Sequence, residues 1–334
     1  MHTEIGADKR IILISDMHIG DGDRTEPFAN KDTELRNFLD YAASRADIFI
    51  IIGDGFDLAQ AFSLERIYRN HKPLIDDLIA LSREMPVYYL EGNHEGSLES
   101  LRSALPFNYC RDLKIGKKIR IEHGHRFDWR NQPGDRHAFL GARLHSALEK
   151  IIRTPVRIPM RKHYYWSTRL GHWIFYRYGY YRLAKARFYR LLGNQDKSEH
   201  NLGFLQYWGG GEWGDNHGIL QPAEKFLDES PIETLVCGHS HQAGQVRFKG
   251  GNYLNAGSWV YRDATYIFYN QGEFEIRDWI SGKVLADEQY RGILGPHRNK
   301  SFFDWWKAFY RGWLRYDIEA MNRAATGENP FINP

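Results

Sequence analysis

The sequence is poor in cysteine, in long apolar runs and in net charge. Its 334 residues include only two cysteines, Cys110 and Cys237, which excludes a disulfide framework and a zinc cluster held by several thiolates. The longest unbroken apolar run covers residues 48–52, whereas a membrane-spanning helix needs about 20 apolar residues. The N-terminal run over 11–14 is too short for the core of a signal peptide. These absences predict a soluble or peripheral protein located in the cytoplasm.

The small net charge hides an uneven distribution. Lys and Arg number 45 and Asp and Glu 42, a net charge of +3. Residues 141–200 hold 13 basic and 3 acidic residues, so the rest of the chain is acidic. The same region is aromatic, since residues 164–189 include 11 Phe, Trp or Tyr. We call residues 141–200 the basic aromatic block, and we expect it to bind anionic surfaces or ligands.

Alternation of apolar segments predicts an α/β protein with two sheets and flanking helices. Helical spacing of apolar residues predicts helices over 32–44, 64–83, 135–153 and 301–325. Short apolar runs rich in β-branched residues predict strands over 11–15, 47–52, 86–90, 118–122 and 234–237. A meander of short strands is predicted over 245–248, 252–254, 259–261, 266–269 and 274–279.

Five of the predicted strands are followed by residues of the types that commonly bind metal ions. Carboxylate, imidazole and amide ligands suit Mn, Fe or Zn, and ligands gather at the carboxyl ends of strands in open α/β sheets. The alternation of side chains along an extended segment predicts that the first and third residues of a D-x-H or H-x-H motif point to the same side. The strand-end residues are Asp16, His18, Asp54, Asn93, His94, His123, His239 and His241.

These motifs, in this order, resemble those of the calcineurin-like metallophosphoesterase family, whose pattern is D-x-H, G-D, G-N-H-D/E, H and G-H-x-H. The chain reads DMH at 16–18, GD at 53–54, GNHE at 92–95, H at 123 and GHSH at 238–241. The resemblance covers roughly residues 10–280. It implies a four-layer α/β/β/α sandwich and an enzyme that cleaves phosphoester or pyrophosphate bonds with two metal ions.

The resemblance also implies a role for each motif residue. His94 would contact the phosphate and either stabilise charge or protonate the leaving oxygen. The ions would be divalent, with Mn the family's common choice and Fe, Zn or Mg as alternatives. Asp16, His18 and His241 would hold the first metal, Asn93, His123 and His239 the second, and Asp54 would bridge both.

Three neighbouring residues have open roles. Asp57 either caps a turn or orients Asp54, or it belongs to the shell around the ligands. His125 and Asp128 are predicted to support the metal-bound histidines, because such histidines usually need a carboxylate or carbonyl partner. His125 could equally contact the substrate.

Within the family, three segments resemble the branch of UDP-2,3-diacylglucosamine pyrophosphatase-like enzymes, which act in lipid A biosynthesis. They are GDGFD at 53–57, HGHRFD at 123–128 and NAGSW at 255–259. That branch carries a helical insertion that covers acyl chains at the membrane surface. Dedicated lipid A enzymes usually read G-N-R-D where this chain has GNHE, and an Asp is frequent in the branch at the position of His125. The implied organisation is a core over 1–140 and 201–300, an insertion over 141–200, and an aromatic amphipathic helix with a tail over 301–334.

These observations favour a membrane-surface hydrolase of a nucleotide-linked lipid. Basic residues attract anionic headgroups and Trp and Tyr favour the headgroup level, so the block predicts a lipid-linked phosphate substrate and an anionic membrane as partners. The alternative is a soluble phosphodiesterase, phosphatase or nuclease, since a basic aromatic surface also binds single-stranded nucleic acid. In a further alternative, the block and the C-terminal helix only pack on the sheet or in a dimer. The complete ligand set argues against a scaffold without chemistry.

Overall fold

The computed structural model describes residues 3–28, 31–96, 98–128, 136–152, 178, 181–202, 219–260 and 263–285. The polypeptide divides into two compact units, Met1–Arg153 with Ile219–Tyr290 and Thr154–Gly218 with Arg291–Pro334. Within the described ranges, none of the helices combines the length and the hydropathy that crossing a bilayer requires. The predicted domain boundaries stay a prediction, and a helix over Arg136–Ile152 runs through the one at residue 140.

The first unit is built from two six-stranded sheets and helices, as the sequence predicted. The described strands are β1 (Thr3–Ile5), β2 (Arg10–Ile14), β3 (Ile48–Ile51), β4 (Val87–Leu90), β5 (Asn108–Cys110), β6 (Asp112–Ile115), β7 (Ile119–Glu122), β8 (Thr234–Cys237), β9 (Gly244–Arg247), β10 (Asn252–Asn255), β11 (Thr265–Asn270) and β12 (Glu273–Asp278). The helices are α1 (Asp32–Arg45), α2 (Leu58–Ala61), α3 (Leu64–Asn70), α4 (Lys72–Glu84), α5 (Leu98–Arg102), α6 (Arg136–Ile152) and α7 (Leu220–Glu229).

Each sheet combines parallel and antiparallel pairs. Sheet I has the order β1-β6-β7-β8-β10-β9, and its strands β7, β8 and β10 run parallel. Sheet II has the order β12-β11-β2-β3-β4-β5, and its strands β2 to β5 run parallel. The motif-bearing strands are therefore neighbours within each sheet, so their carboxyl ends lie side by side.

Strand β2 shows why the sheets stack. Ile11 and Leu13 join one apolar core with Val236 of sheet I, while Ile12 and Ile14 join a second core with residues of α1 and α4. A third core packs α7 on the other face of sheet I. A strand that is buried on both faces has a continuous apolar sequence, as in IILI. The layers are helices, sheet II, sheet I and helix, so the predicted α/β/β/α sandwich is confirmed.

In the second unit, the described residues 181–191 and 195–202 are helical. The rest of the basic aromatic block, residues 153–177, 179 and 180, lies outside the described residues. So does the predicted C-terminal helix over 301–325.

Three details of the predicted secondary structure are wrong. The helix predicted over 64–83 is two helices, because Pro73 in the first turn of α4 cannot continue α3 and its ring would clash with the preceding turn. Trp259 and Val260 form no strand, and the buried Trp259 indole N–H instead donates to the carbonyl of Thr265 at 2.9 Å. The predicted meander is divided, since β9 and β10 pair in sheet I whereas β11 and β12 pair in sheet II.

Candidate metal centre

The structure brings the predicted ligands together where the two sheets meet. Asp16 and His18 follow β2, Asp54 follows β3, Asn93 follows β4, His123 follows β7, and His239 and His241 follow β8. Seven non-glycine residues in the described ranges have a positive φ, and five of them are predicted ligands. Each such conformation costs roughly 1–3 kcal/mol and persists only where its surroundings enforce it. The five are Asp16, His18, Asp54, His239 and His241.

These backbone conformations overturn the argument from strand alternation. Asp16 and His18 are not extended, with φ values of 51° and 49°, although their side chains do meet. His239 and His241, with φ values of 66° and 56°, belong to different clusters rather than to one side. Left-handed turns, rather than the two-residue period of a strand, decide where these side chains point.

The first cluster contains Asp16, His18 and His241, with ligand atoms that all lie within 4.8 Å of one another. Nε2 of His18 and Nε2 of His241 are 3.1 Å apart, and Nε2 of His241 is 3.1 Å from Oδ1 of Asp16. The other oxygen of Asp16 accepts the backbone N–H of His239 at 2.8 Å and the hydroxyl of Ser15. Oδ1 is buried and faces Nε2 of both histidines, at 3.1 Å from His241 and 3.8 Å from His18. A buried carboxylate oxygen that faces two imidazole nitrogens fits a metal ligand set.

The second cluster contains Asp54, His123 and His239, with Asn93 beside them. Nδ1 of His123 lies 2.7 Å from the carbonyl of Ile52. In the neutral ring, the Nδ1–H donates there and Nε2 carries the lone pair. That nitrogen is 3.3 Å from Oδ2 of Asp54 and 3.2 Å from Oδ1 of Asn93. In that state three acceptor atoms face one another, and a cation between them would satisfy all three.

Asp54 connects the two clusters. Its Oδ2 is 3.3 Å from Nε2 of His123 and 3.7 Å from Nε2 of His18, while Oδ1 accepts the backbone N–H of His94 at 2.8 Å. Gly92 makes this approach of two loops feasible, because a Cβ at that position would collide with the Asp54 carboxylate. Asp54 therefore lies beside histidines of both clusters.

The pKa values report a strongly negative and desolvated site. Burial alone would lower the pKa of His18, but hydrogen bonds with Asp16 and Asp57 raise it to about 10. Burial likewise opposes charge on His123, but the charges of Asp54 and Asp16 raise its pKa to about 9. Burial would raise the pKa of Asp54, yet the nearby His123 and His94 hold it well below its usual range. A negative electrostatic potential that stabilises protonated histidines also stabilises a bound divalent cation.

Asp57 combines a cap with an orienting role. Its side chain accepts the backbone N–H of Gln60 at 2.8 Å at the start of α2. Its Oδ2 lies 3.1 Å from Nδ1 of His18, and its Oδ1 lies 3.0 Å from Nδ1 of His94. Asp57 thereby fixes the tautomers of two histidines, which the sequence did not indicate. The His94 ring packs edge-on against His18, with centroids 4.5 Å apart, and its side chain is 21% exposed against 3% for His18.

His125 and Asp128 lie on the other side of the second cluster. Oδ2 of Asp128 is 3.1 Å from Nε2 of His239, a contact that orients this ring, while its predicted support of a metal-bound histidine stays a prediction. The ring centroid of His125 is 5.3 Å from that of His123. Burial and the charges of His123 and His239 lower the pKa of His125 to about 3, which keeps the ring neutral.

Sequence reasoning missed Glu95 and Tyr89. Glu95 is buried behind Asp54 and accepts the Tyr89 hydroxyl at 2.6 Å. Burial and the charge of Asp54 raise the pKa of Glu95 to about 8, and hydrogen-bond donors directed at its oxygens oppose that rise. In the sequence, Glu95 is visible as the last residue of the GNHE motif, but the motif does not show which groups its side chain contacts.

Helix α6 was also missed as a neighbour of the site. Nζ of Lys150 donates to Oδ2 of Asp21 and to Oδ2 of Asp23, both at 2.6 Å, in the loop after His18. The guanidinium of Arg143 lies 4.9 Å from the ring of Phe62, directly after α2. The Phe139 ring lies where a Cβ on Gly96 would be, just beyond the GNHE motif. One helix therefore contacts the segments that follow three ligand motifs.

The opposite face of α6 is apolar and exposed. Four large apolar side chains follow one another at intervals of four, four and three residues, which places them on one face of a helix. The single acidic residue of the helix, Glu149, is buried. The exposed residues are Leu140, Leu144, Leu148 and Ile151, and we call them the α6 apolar stripe.

Two adjoining clusters of carboxylate, imidazole and amide groups at the strand ends of two stacked sheets define a metal-dependent hydrolase. The chain belongs to the calcineurin-like phosphoesterase family, whose model matches residues 9–243, and it is a metal-dependent phosphoester hydrolase. No curated protein matches the sequence.

Solved structures show distant similarity. Yfce, a phosphoesterase from E. coli, is 12% identical over 83% of this chain and 97% of that chain, with a TM-score of 0.38. A dimetal phosphatase from Danio rerio is 12% identical over 81% and 96%, with a TM-score of 0.41. Vps29 from Entamoeba histolytica in complex with zinc is 14% identical over 83% and 96%, with a TM-score of 0.33. At TM-scores below 0.5, these similarities do not bear on the substrate.

Proposed function

We propose that this enzyme hydrolyses a phosphoester or pyrophosphate bond in a nucleotide-linked lipid, such as UDP-2,3-diacylglucosamine, at an anionic membrane surface on the cytoplasmic side. The first cluster would hold one divalent ion and the second cluster, with Asn93, the other, with manganese preferred, and Asp54 would be a ligand to both. When bound, such ions neutralise phosphoryl charge and make water nucleophilic at neutral pH.

The residues of the chain position the substrate and move one proton. The His94 side chain is 21% exposed, and its Nδ1 lies 3.0 Å from Oδ1 of Asp57, which directs Nε2 away from Asp57. A proton on Nε2 can then be delivered to the leaving-group oxygen. Asp128 orients His239, and the carbonyl of Ile52 orients His123, so that each ring presents a fixed nitrogen to its metal.

The observation that carries the lipid substrate is the α6 apolar stripe. The side chain of Leu144 is 65% exposed and that of Ile151 is 79% exposed, on a helix whose other face contacts the loops after the ligand motifs. Burying one such side chain contributes about 1.5–3 kcal/mol, so acyl chains or a bilayer would bind here. The net charge of +10 over residues 141–200 adds attraction to anionic headgroups.

The test compares a lipid-linked with a soluble substrate in a variant of the stripe. In Leu144→Glu/Leu148→Glu, we expect hydrolysis of UDP-2,3-diacylglucosamine in anionic vesicles to fall at least about tenfold, because two side chains could no longer bury apolar surface against the lipid. Hydrolysis of bis-p-nitrophenyl phosphate should stay within about twofold, and sedimentation with the vesicles should decrease.

The matched control is Ile280→Glu, which adds a carboxylate at another exposed apolar position. It should behave as the wild-type enzyme on both substrates. Equal activity of the stripe variant and the control on the lipid would contradict the proposal. Rapid cleavage of oligonucleotides with a steep dependence on salt, and none of the lipid, would instead favour the nuclease alternative.

A further inference from the structure

Two glycine turns that carry metal ligands are joined by one buried side chain. Oε1 of Glu95 accepts the backbone N–H of Gly55 at 3.0 Å, and Oε2 accepts the backbone N–H of Gly92 at 3.0 Å. Gly55 directly follows Asp54, and Gly92 directly precedes Asn93. Glu95 therefore binds one loop through each carboxylate oxygen.

Tyr89 extends this connection. Its hydroxyl donates to Oε1 of Glu95 at 2.6 Å and accepts the backbone N–H of Phe56 at 2.9 Å. Tyr89 is fully buried, and its ring stacks parallel to that of Phe56 with centroids 5.9 Å apart. The loop after β3 is thus held at two successive backbone N–H groups, one by Glu95 and one by Tyr89.

We propose that Glu95 and Tyr89 are positioning residues that set the distance between Asp54 and Asn93 and thereby the affinity of the second metal. The inference rests on the ligand assignment made under the proposed function. Neither side chain contacts the substrate in this scheme, because both lie behind the Asp54 carboxylate.

The geometry requires two acceptor oxygens at position 95. Two backbone N–H groups from different loops approach two different oxygens, so both atoms must be acceptors. A glutamine offers one acceptor and one amide NH₂ group, which would face a backbone N–H donor. The backbone N–H of one loop would then be buried without an acceptor, and a buried donor without a hydrogen-bond partner lowers the free energy of unfolding.

The experiment measures manganese binding and diester hydrolysis in Glu95→Gln, Tyr89→Phe and Tyr109→Phe. The last is a matched control, since its hydroxyl donates at 3.0 Å to the carbonyl of Leu101, away from both loops. In Glu95→Gln, we expect the weaker of two manganese sites to lose about 10–100-fold in affinity, as removal of an outer-shell partner does. Excess manganese should restore most of kcat. Tyr89→Phe should lose about threefold to tenfold in affinity, and Tyr109→Phe should match the wild-type enzyme.

The assays are run at a temperature where the variant is folded. Recovery of kcat in excess manganese then indicates a positioning role, because general destabilisation of the protein would not be corrected by added metal. If Glu95→Gln does not fold, Tyr89→Phe measured against Tyr109→Phe decides. The inference is overturned if the wild-type enzyme binds two metals and both test variants bind them equally well, or if activity falls at unchanged affinity. A wild-type protein that binds no manganese would instead contradict the proposed function.

Discussion

The strand-end clusters and helix α6 lie in the same unit but differ in what they bury: the clusters bury charged groups, whereas α6 exposes apolar ones. The clusters bury charged groups and hold them in costly backbone conformations, with carboxylates such as Asp16 and Asp54 fully enclosed. Helix α6 turns a polar face toward neighbouring loops through Arg143 and Lys150, and it leaves its apolar stripe exposed. Under the proposed function, the clusters would provide the chemistry and α6 would select the substrate that reaches them.

The largest effect is expected from a substitution that removes a shared residue of the two clusters. Asp54→Ala removes a carboxylate oxygen that approaches histidines of both clusters, so we expect loss of both metals. Activity should fall by at least about three orders of magnitude, since metal ions supply several kcal/mol of transition-state stabilisation. Elemental analysis with a chromogenic diester assay checks both results, and two metals per chain in the variant would contradict the bridging role.

The matched control is Asp47→Ala, which removes a carboxylate just before the same strand. Asp47 pairs with Arg10 at 2.7 Å on the surface. Its loss should leave metal content and activity unchanged.

A smaller loss is expected when the ligands remain but lose their orientation. Asp57→Asn keeps the shape of the side chain but removes the charge that holds His18 and His94. Metal affinity and activity should each fall about 10–100-fold. His94→Ala should instead lower the rate about 10²–10⁴-fold at unchanged metal content. Titration of manganese against activity distinguishes the two variants, and an Asp57→Asn enzyme with wild-type metal affinity would exclude the orienting role.

Changing the inner face of α6 should affect the choice of substrate more than the chemistry. Lys150→Met keeps an apolar stem but leaves Asp21 and Asp23 without their ammonium partner. We expect a loss of about 1 kcal/mol in the free energy of unfolding, typical of a partly exposed ion pair. Hydrolysis of the lipid-linked substrate should fall a few-fold while a small diester is unaffected. Lys150→Arg should restore both, and equal losses on the two substrates would show that α6 also supports the chemistry.

The difference between the two regions also explains which features the sequence could predict. The motifs are short and local, so DMH, GD, GNHE and GHSH indicated both the fold and the residues that meet. The direction of each side chain was not predictable, because a left-handed turn at His239 overrides strand alternation. The partners of Asp57 and Glu95 depend on contacts between loops about 40 residues apart in the chain. The exposed stripe on α6 has the same apolar spacing as a buried helix face, so the pattern alone could not show which side faces solvent.

The smallest expected effect on activity comes from a buried histidine outside both regions, which tests whether a His–carboxylate cluster alone creates metal chemistry. Nδ1 of His71 lies 2.7 Å from Asp32, and its Nε2 lies 3.0 Å from Glu26. Burial opposes charge on this ring, but the two carboxylates raise its pKa to about 9 from an ordinary value of 6.5. The contribution of these contacts to the free energy of unfolding is therefore complete below about pH 6.5 and is lost as pH rises through 9. Between pH 6.5 and 8, the loss is on the order of 1 kcal/mol. Urea unfolding of His71→Gln against the wild-type protein should show a difference that shrinks over this range. Activity and metal content at pH 7 should not change, and a loss of either in the folded variant would extend the metal centre beyond the strand ends.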